Sequence, residues 1–191
     1  SQGPVLPAVR VCLDACVLFP TVLRECLTGW AAAGLYTPIW SDRILEEWAR
    51  ATVKLGPGAE DVARGEIALL RQAFPRAGVS PRAGDMARLH LPDPNDIHVL
   101  AAAIAGSADL ICTFNAQDFP RAALAEEGIE RVDPDQLARR LHDRDPDAVA
   151  GVVGRVHATA ERLSGETLDL RALMKRARLP RLGKRLAPPA S

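Results

Sequence analysis

Residues 109–120 read DLICTFNAQDFP, an almost continuously apolar run that gives way to a polar loop. A run of this kind is typical of a strand that is buried on both faces of a parallel sheet. The loop after it carries Thr113, Asn115 and Asp118. Because ligands of open α/β sheets bind beyond the carboxyl ends of the strands, this stretch predicts both the type of sheet and the edge where a site would lie.

Strand-like and helical segments alternate on both sides of this stretch. Further strands are predicted at residues 9–13, 35–40 and 129–132, with a minor one near Val79. Apolar residues at three- and four-residue steps predict the helices between them, at residues 20–33, 41–55, 60–74, 93–105 and 121–127. This alternation predicts βαβ units, and we expect an α/β fold in which a mostly parallel sheet lies in a three-layer α/β/α domain.

The pattern changes after Pro134, where strand-like runs end and only helices are predicted. We therefore expect an α/β domain at residues 1–133 and a helical C-terminal extension at residues 134–191. Residues 1–150 carry 15 basic and 21 acidic side chains, a net charge of −6, whereas residues 151–191 carry 9 basic and 3 acidic, a net charge of +6. This asymmetry suggests that the basic end meets a polyanion or an acidic protein, or else forms a solvated helical face.

The composition excludes several classes of protein. With 191 residues, of which 48% are hydrophobic and 25% charged, the chain has enough apolar material for a packed core. No stretch approaches 18 uncharged apolar residues, so we predict no membrane span, and the first residues lack the pattern of a secretory signal. The four cysteines have no zinc-ligand spacing and are expected to be reduced thiols, which fits a cytoplasmic protein.

Acidic residues recur where the predicted strands end and where the following helices begin. The candidates, in chain order, are Asp14, Glu47, Asp93, Asp96 and Asp118. Because parallel strands end at the same edge of the sheet, we expect their side chains to meet there. No Ser-His-Asp order, nucleophile elbow or glycine-rich phosphate loop accompanies them.

Several carboxylates crowded at one edge repel one another and raise each other's pKa values unless a cation is present. Oxygen-only ligands favour Mg²⁺ or Mn²⁺ over zinc. Such ions polarise a phosphoryl group and lower the pKa of a bound water, and together these effects promote hydrolysis of phosphodiester bonds. The acids therefore suggest a metal-dependent nuclease.

Three of these acids also have an ordinary structural explanation. Asp93 suits the N-cap of the alanine-rich helix, and Asp96, three residues later, suits its first turn. Asp118 could cap the helix that follows Pro120. Capping alone would explain Asp93 most easily, so we consider Asp96 the better functional candidate.

The periodicity of the helix at residues 41–55 separates its two adjacent glutamates. Glu47 lies three residues after Ile44 and four before Ala51, on the inner side, whereas Glu46 falls on the outer side. We therefore choose Glu47 as the candidate. The four histidines form no ligand pair, and His98 is expected to point away from Asp96.

Four stretches together match the pattern of a known family; they are VCLDACVLFP, ILEEW, DPNDIHVLAAAIA and LICTFNAQDFP. They resemble the PIN-domain ribonucleases, in particular the VapC-type toxins of bacterial toxin–antitoxin systems. The resemblance covers residues 9 to about 133. The tail sequence LDLRALMKRARLPRLGKRL is similar to a C-terminal extension found on a subset of these toxins.

The resemblance implies a shared acidic pocket that hydrolyses RNA. Asp14, Glu47, Asp96 and Asp118 match the four acids of the family, which are both catalytic and metal-binding and use Mg²⁺ or Mn²⁺. The expected substrate is single-stranded or structured RNA. A cognate antitoxin protein and a homodimer are the expected partners.

Other polar residues complete the expected site. Thr113 and Asn115 match the polar residues beside the fourth acid, although some PIN domains carry an acid where Asn115 stands. Asp93 is an additional acid without a counterpart in the pattern. Arg121 follows the loop directly, and we expect it to contact a phosphate.

Our hypothesis is an Mg²⁺- or Mn²⁺-dependent endoribonuclease, the toxin of a toxin–antitoxin pair. One alternative is a non-catalytic PIN-like module that only docks a partner. Another is a different Mg²⁺-dependent phosphotransfer enzyme with Asp14 as its nucleophile. That chemistry usually requires a second acid two residues later, where Cys16 stands in this chain.

Overall fold

The computed structural model describes residues 8–188. Its four strands are β1 (Arg10–Leu13), β2 (Thr37–Ile39), β3 (Leu110–Cys112) and β4 (Glu130–Val132). They form one sheet in the order β2-β1-β3-β4, and every pair is parallel. Cys12 lies opposite Ile39 on one side and Ile111 on the other. The predicted α/β class is therefore confirmed, with a sheet that is entirely parallel in the described residues.

Helices flank this sheet and form the C-terminal part of the described chain. They are α1 (Ala15–Leu18), α2 (Thr21–Ala32), α3 (Asp42–Ala51), α4 (Ala59–Ala73), α5 (Ala83–Arg88), α6 (Ile97–Ala105), α7 (Arg121–Ala125), α8 (Pro134–Arg144), α9 (Pro146–Ser164), α10 (Leu170–Arg176) and α11 (Pro180–Leu186). No helix of the described residues is both long and apolar enough to cross a membrane.

The elements that differ from the sequence prediction are short ones. The short helices α1, α5 and α11, of four to seven residues, were not predicted. The predicted strand near Val79 is reduced to an isolated bridge between Trp40 and Gly78. The predicted helix at residues 93–105 begins as a 3-10 turn at Pro94–Asp96, before α6.

The C-terminal helices pack onto the α/β body through one continuous core. Helix α9 lies against α2, where the fully buried indole of Trp30 donates a hydrogen bond from Nε1 to the carbonyl oxygen of Val149 at 3.3 Å. Gly29 permits this close approach, because a Cβ there would stand 2.5 Å from Val152 Cγ1. The domain boundary after residue 133 stays a prediction, and the two predicted parts share this core.

Candidate active site

The site is built around Asp14, which directly follows β1. Its backbone N–H donates to the carbonyl oxygen of Cys112 at 3.1 Å, so the end of β1 is tied to the end of β3. After β1 the next strand, β2, lies towards one edge of the sheet, and after β3 the next strand, β4, lies towards the other edge. Open α/β sheets bind ligands at such a switch point between two central strands. The sheet order therefore places Asp14 at the expected position for a functional carboxylate.

Three hydrogen bonds hold the Asp14 carboxylate in place, of which the longest comes from the Cys16 thiol, with Sγ 3.6 Å from Oδ2. Thr113 Oγ1 donates to Asp14 Oδ2 at 2.8 Å, and the backbone N–H of Ala15 donates to Oδ1 at 2.8 Å. Asp14 is only 5% exposed, and this burial raises its pKa, while the hydrogen bonds lower it. Burial also raises the pKa of the neighbouring Cys16 to about 12, so that residue is a neutral thiol at physiological pH. The carboxylate is thus rigidly oriented but poorly solvated.

Helix α3 separates its two glutamates as the periodicity predicts. Glu46 lies on the outer side, where hydrogen bonds from Arg64 and Arg50 lower its pKa to about 2. Glu47 faces the site, with its Oε1 2.5 Å from Nε2 of His98, a residue that is 1% exposed. Since the Glu47 charge raises the pKa of Asp14, these two acids lie close enough to repel each other.

Asp96 lies where the charges of the other candidate acids converge. It ends the 3-10 turn Pro94–Asp96 and precedes α6. Burial raises its pKa to about 6, and the charges of Asp14, Asp118, Asp93 and Glu47 add to the shift in that order. The charges of the other four candidate acids therefore all act on Asp96, although among the described residues no three of these side chains are grouped closely enough to form a metal site.

The raised pKa of Asp96 leads to a prediction about pH. The folded metal-free protein favours the protonated form of Asp96. The protonated carboxyl therefore contributes to the free energy of unfolding fully below pH 4, and this contribution is lost as the pH rises through about 6. A bound cation reverses that preference and must displace the proton below pH 6. We expect Mn²⁺ affinity to be about tenfold weaker at pH 5 than at pH 7. Calorimetric titration at both pH values measures this, and equal affinities would contradict it.

Asp118 and Asn115 lie on the loop between β3 and α7. Asp118 ends the 3-10 turn Ala116–Asp118 and does not cap α7, whose N-cap is Pro120 with no side-chain hydrogen bond. The backbone N–H of Asn115 donates to Thr113 Oγ1 at 3.0 Å, which leaves its exposed side chain outside this network. The structural alternative for Asp118, helix capping, is therefore not realised.

Asp93 adds its charge at Asp96, whereas Arg121 follows the loop that carries Asp118. Asp93 is exposed and accepts a hydrogen bond from the backbone N–H of Asn95 at 2.9 Å, so it does cap the turn that leads to Asp96. Arg121 is the first residue of α7 and is also exposed. These positions suit an electrostatic role for Asp93 and an encounter with a phosphate for Arg121.

The donor set fits a hard divalent cation. All candidate ligands are carboxylates, and oxygen donors favour Mg²⁺ or Mn²⁺. A cation between them would also relieve the repulsion that raises the pKa of Asp96. Among residues 8–188, no three His, Cys, Asp or Glu side chains form a group already closed enough to hold one ion. The open arrangement of the carboxylates is compatible with Mg²⁺, because this ion keeps several bound waters and needs only one or two carboxylates as direct ligands.

His98 is a site residue that the sequence reasoning missed. The helical phase predicts only that His98 points away from Asp96, whereas the structure places it against Glu47, which is 51 positions earlier in the chain. Both of its ring nitrogens are buried and neither forms a hydrogen bond with a described residue, so the approach of Nε2 to Glu47 Oε1 is a close contact and not a hydrogen bond. No local pattern reveals such a contact, because it depends on how α6 packs beside α3.

We expect His98→Leu to lower metal-dependent activity about tenfold to a hundredfold, since a residue that orients a ligand typically has an effect of this size. The loss of the Nε2 contact would leave Glu47 without its orienting partner. Activity and Mn²⁺ affinity measured together check this, with His90→Leu as an exposed histidine control. Wild-type values for both quantities in His98→Leu would show that the contact has no positioning role.

Comparison with protein-family models identifies the family of most of the α/β body. A family model described as PIN domain matches residues 10–117, which is more than half of the chain. The matched range includes Asp14, Glu47 and Asp96, and ends one residue before Asp118. Neither the comparison with curated proteins nor the comparison with solved structures found a significant match.

Proposed function

Because the chain belongs to the PIN-domain family, we propose that it is an Mg²⁺- or Mn²⁺-dependent endoribonuclease and the toxin of a toxin–antitoxin pair. Family membership indicates a metal-dependent nuclease in general. RNA as the substrate, these two ions and the toxin role belong to the proposal. The observation that carries it is the convergence of Asp14, Glu47 and Asp118 on Asp96 at the carboxyl edge of the sheet.

The four acids have distinct surroundings within this proposal. Asp14, Glu47, Asp96 and Asp118 are the residues that would hold the ion. When bound, a divalent ion would polarise the phosphodiester and lower the pKa of a water. The rigid, buried Asp14 would define the position of the ion, because Thr113 fixes its orientation.

The remaining polar residues would act on the substrate. The exposed amide of Asn115 can donate to and accept from a nucleotide. The exposed guanidinium of Arg121 can bind a phosphate through two parallel hydrogen bonds. Such contacts would draw RNA towards an acidic surface that otherwise repels it.

The proposal includes partners and a location. A cognate antitoxin would block the acidic pocket with a basic or apolar segment, and the chain would form a homodimer. We place the protein in the cytoplasm, where its RNA substrate and its antitoxin are made. Co-expression of a small DNA-binding protein encoded beside this gene should restore growth that the chain alone arrests.

Incubation of the purified chain with labelled single-stranded RNA tests the enzymatic part of the proposal. We expect cleavage with Mg²⁺ or Mn²⁺ and none in excess EDTA, and sequencing of the RNA ends then gives the cleavage site. Cleavage that persists in EDTA would point to a contaminating nuclease. If the chain neither binds either ion nor cleaves RNA, the non-catalytic binding module is the correct alternative.

The phosphotransfer alternative has its own test. An Asp14 nucleophile would form an acyl-phosphate, which can be trapped chemically and located by mass spectrometry. The structure places the Cys16 thiol 3.6 Å from Asp14 Oδ2, at the position where that chemistry usually has a second acid. We therefore expect no phosphate on Asp14.

A further inference from the structure

A groove of about 780 Å³ opens beside the candidate active site. One wall comes from the α/β body, through the loop after β3 and strand β4. The other wall comes from the C-terminal extension, through Lys175, Arg178 and Pro180. Thr113 lines the groove and also donates a hydrogen bond to Asp14, so the groove adjoins the acidic site through this residue, although none of the five candidate acids lines it.

The acidic residues that line the groove are all engaged in structural interactions. Glu130 is paired with Arg140 at 2.5 Å, and Asp133 caps α8 through the backbone N–H of Gln136. Asp135 is 7% exposed and accepts the backbone N–H groups of residues 181 and 182, each at 3.0 Å. These three carboxylates are therefore engaged within the fold, and Asp135 fixes α11 against α8.

The basic residues of the groove are largely available. Arg121, Lys175 and Arg178 are exposed, and none of them forms a side-chain hydrogen bond or a salt bridge with another described residue. Arg131 donates to the carbonyl oxygen of Phe119 at 2.7 Å. The two walls thus present three cations whose side chains have no hydrogen-bond or salt-bridge partner among the described residues, and two of them belong to the extension.

Arg178 occupies a backbone position that favours glycine. It follows the end of α10 with a φ of 62°, and its N–H donates to the carbonyl oxygen of Lys175 while that of Leu179 donates to Met174. Glycine is the usual residue at this position of a helix end. Because the backbone conformation at this position disfavours arginine, a reason for this residue must come from its side chain.

The side chain of Arg178 reaches back to the active-site loop. Its Cζ lies 3.6 Å from the centroid of the Phe114 ring, within the range of a cation–π interaction. Phe114 directly follows Thr113 in the loop that leads away from β3. A guanidinium stacked in this way keeps its edge N–H groups free for a phosphate and its outer face free for a base.

We propose that this groove binds the single-stranded RNA that flanks the cleaved phosphodiester, with Arg121, Lys175 and Arg178 contacting its phosphates. The inference rests on the proposed nuclease function and assigns substrate binding to the C-terminal extension. An acidic pocket repels the backbone of its own substrate, so cations are needed immediately beside it. The groove supplies them among the same lining residues as Thr113, which holds Asp14.

Binding of labelled single-stranded RNA to the full-length chain tests this, in an Asp96→Asn background and with Mg²⁺ present. We expect Lys175→Gln/Arg178→Gln to bind about tenfold more weakly and to reduce the salt dependence of log K by about 1.4, which corresponds to two lost phosphate contacts. The matched control is Arg155→Gln/Arg162→Gln, which removes two exposed charges from α9 of the same extension. We expect this control to change the RNA affinity by less than twofold.

A second variant keeps the test independent of folding. Arg178→Gly suits the backbone at φ 62°, so its melting temperature should equal or exceed that of the wild type while RNA binding still weakens. An equal loss of RNA affinity in the α9 control would contradict the proposed groove and would indicate diffuse electrostatic attraction instead. If the groove variants bind RNA as the wild type does but lose binding to polyglutamate, RNA is the wrong ligand and the groove binds an acidic protein partner.

Cleavage of the same RNA by the unmodified chain with Mg²⁺ separates the two proposals. If the chain does not cleave RNA but the groove variants lose RNA binding, the nuclease function is wrong and the groove is supported. If it cleaves RNA and the groove variants bind as the wild type does, the groove is wrong and the nuclease function stands.

Discussion

The Asp96→Asn variant is expected to lose about a hundredfold to a thousandfold of the metal-dependent RNA cleavage, while its metal-free form becomes more stable at pH 8. The amide is a poor ligand for a hard cation and carries no charge to attract it. The same change removes the carboxylate on which the repulsion of four other acids converges. Catalytic groups held at a cost in stability commonly show this opposite response.

The expected stabilisation is modest, because Asp96 is only partly buried and solvent screens its interactions. We expect about 1 kcal/mol, which corresponds to about 2–4 °C in melting temperature for a chain of this size. The gain should shrink as the pH falls below 6, since the wild-type carboxyl is then protonated. Thermal melts in EDTA at pH 5 and pH 8 measure it.

The control for this variant is Asp61→Asn, which changes an exposed aspartate in the first turn of α4. Cleavage by this control should equal that of the wild type. Full cleavage by Asp96→Asn, after contaminating nucleases have been excluded, would remove Asp96 from the catalytic set. Lower stability at pH 8 would instead show that its carboxylate is satisfied rather than repelled.

The Trp30→Ala variant is expected to lower the free energy of unfolding by about 3–5 kcal/mol, a typical value for truncation of a buried aromatic residue. Trp30 is fully buried where α2 meets α9, so the change opens a cavity between the α/β body and the extension. It also removes the hydrogen bond to Val149. Trp30→Phe keeps part of the ring volume and should therefore lower the free energy of unfolding by less.

Urea unfolding followed by circular dichroism checks this prediction. A single transition that shifts as a whole would show that body and extension unfold together, as their common core suggests. Two transitions, with only the C-terminal helices melting early, would show that the extension is an independent unit. A loss below about 1 kcal/mol would mean that the neighbours of Trp30 close the cavity.

Much of the α/β body could be predicted from local patterns. The apolar run at residues 110–113 predicted a buried parallel strand, and Asp14 and Thr113 were expected at one edge because parallel strands end together. Helical phase separated Glu47 from Glu46, and the structure places them on the predicted sides. Their roles as metal ligands stay predictions, since the variants above are what tests them.

The amino-acid sequence by itself determined the strands and longer helices, because hydrophobic periodicity is a property of neighbouring residues. It also determined which acids could meet. Only the tertiary structure decided how strongly they interact, because the pKa of Asp96 depends on burial and on charges from distant segments. It alone placed His98 against Glu47 and Arg178 over Phe114. Such contacts depend on packing between distant segments, which no local pattern records.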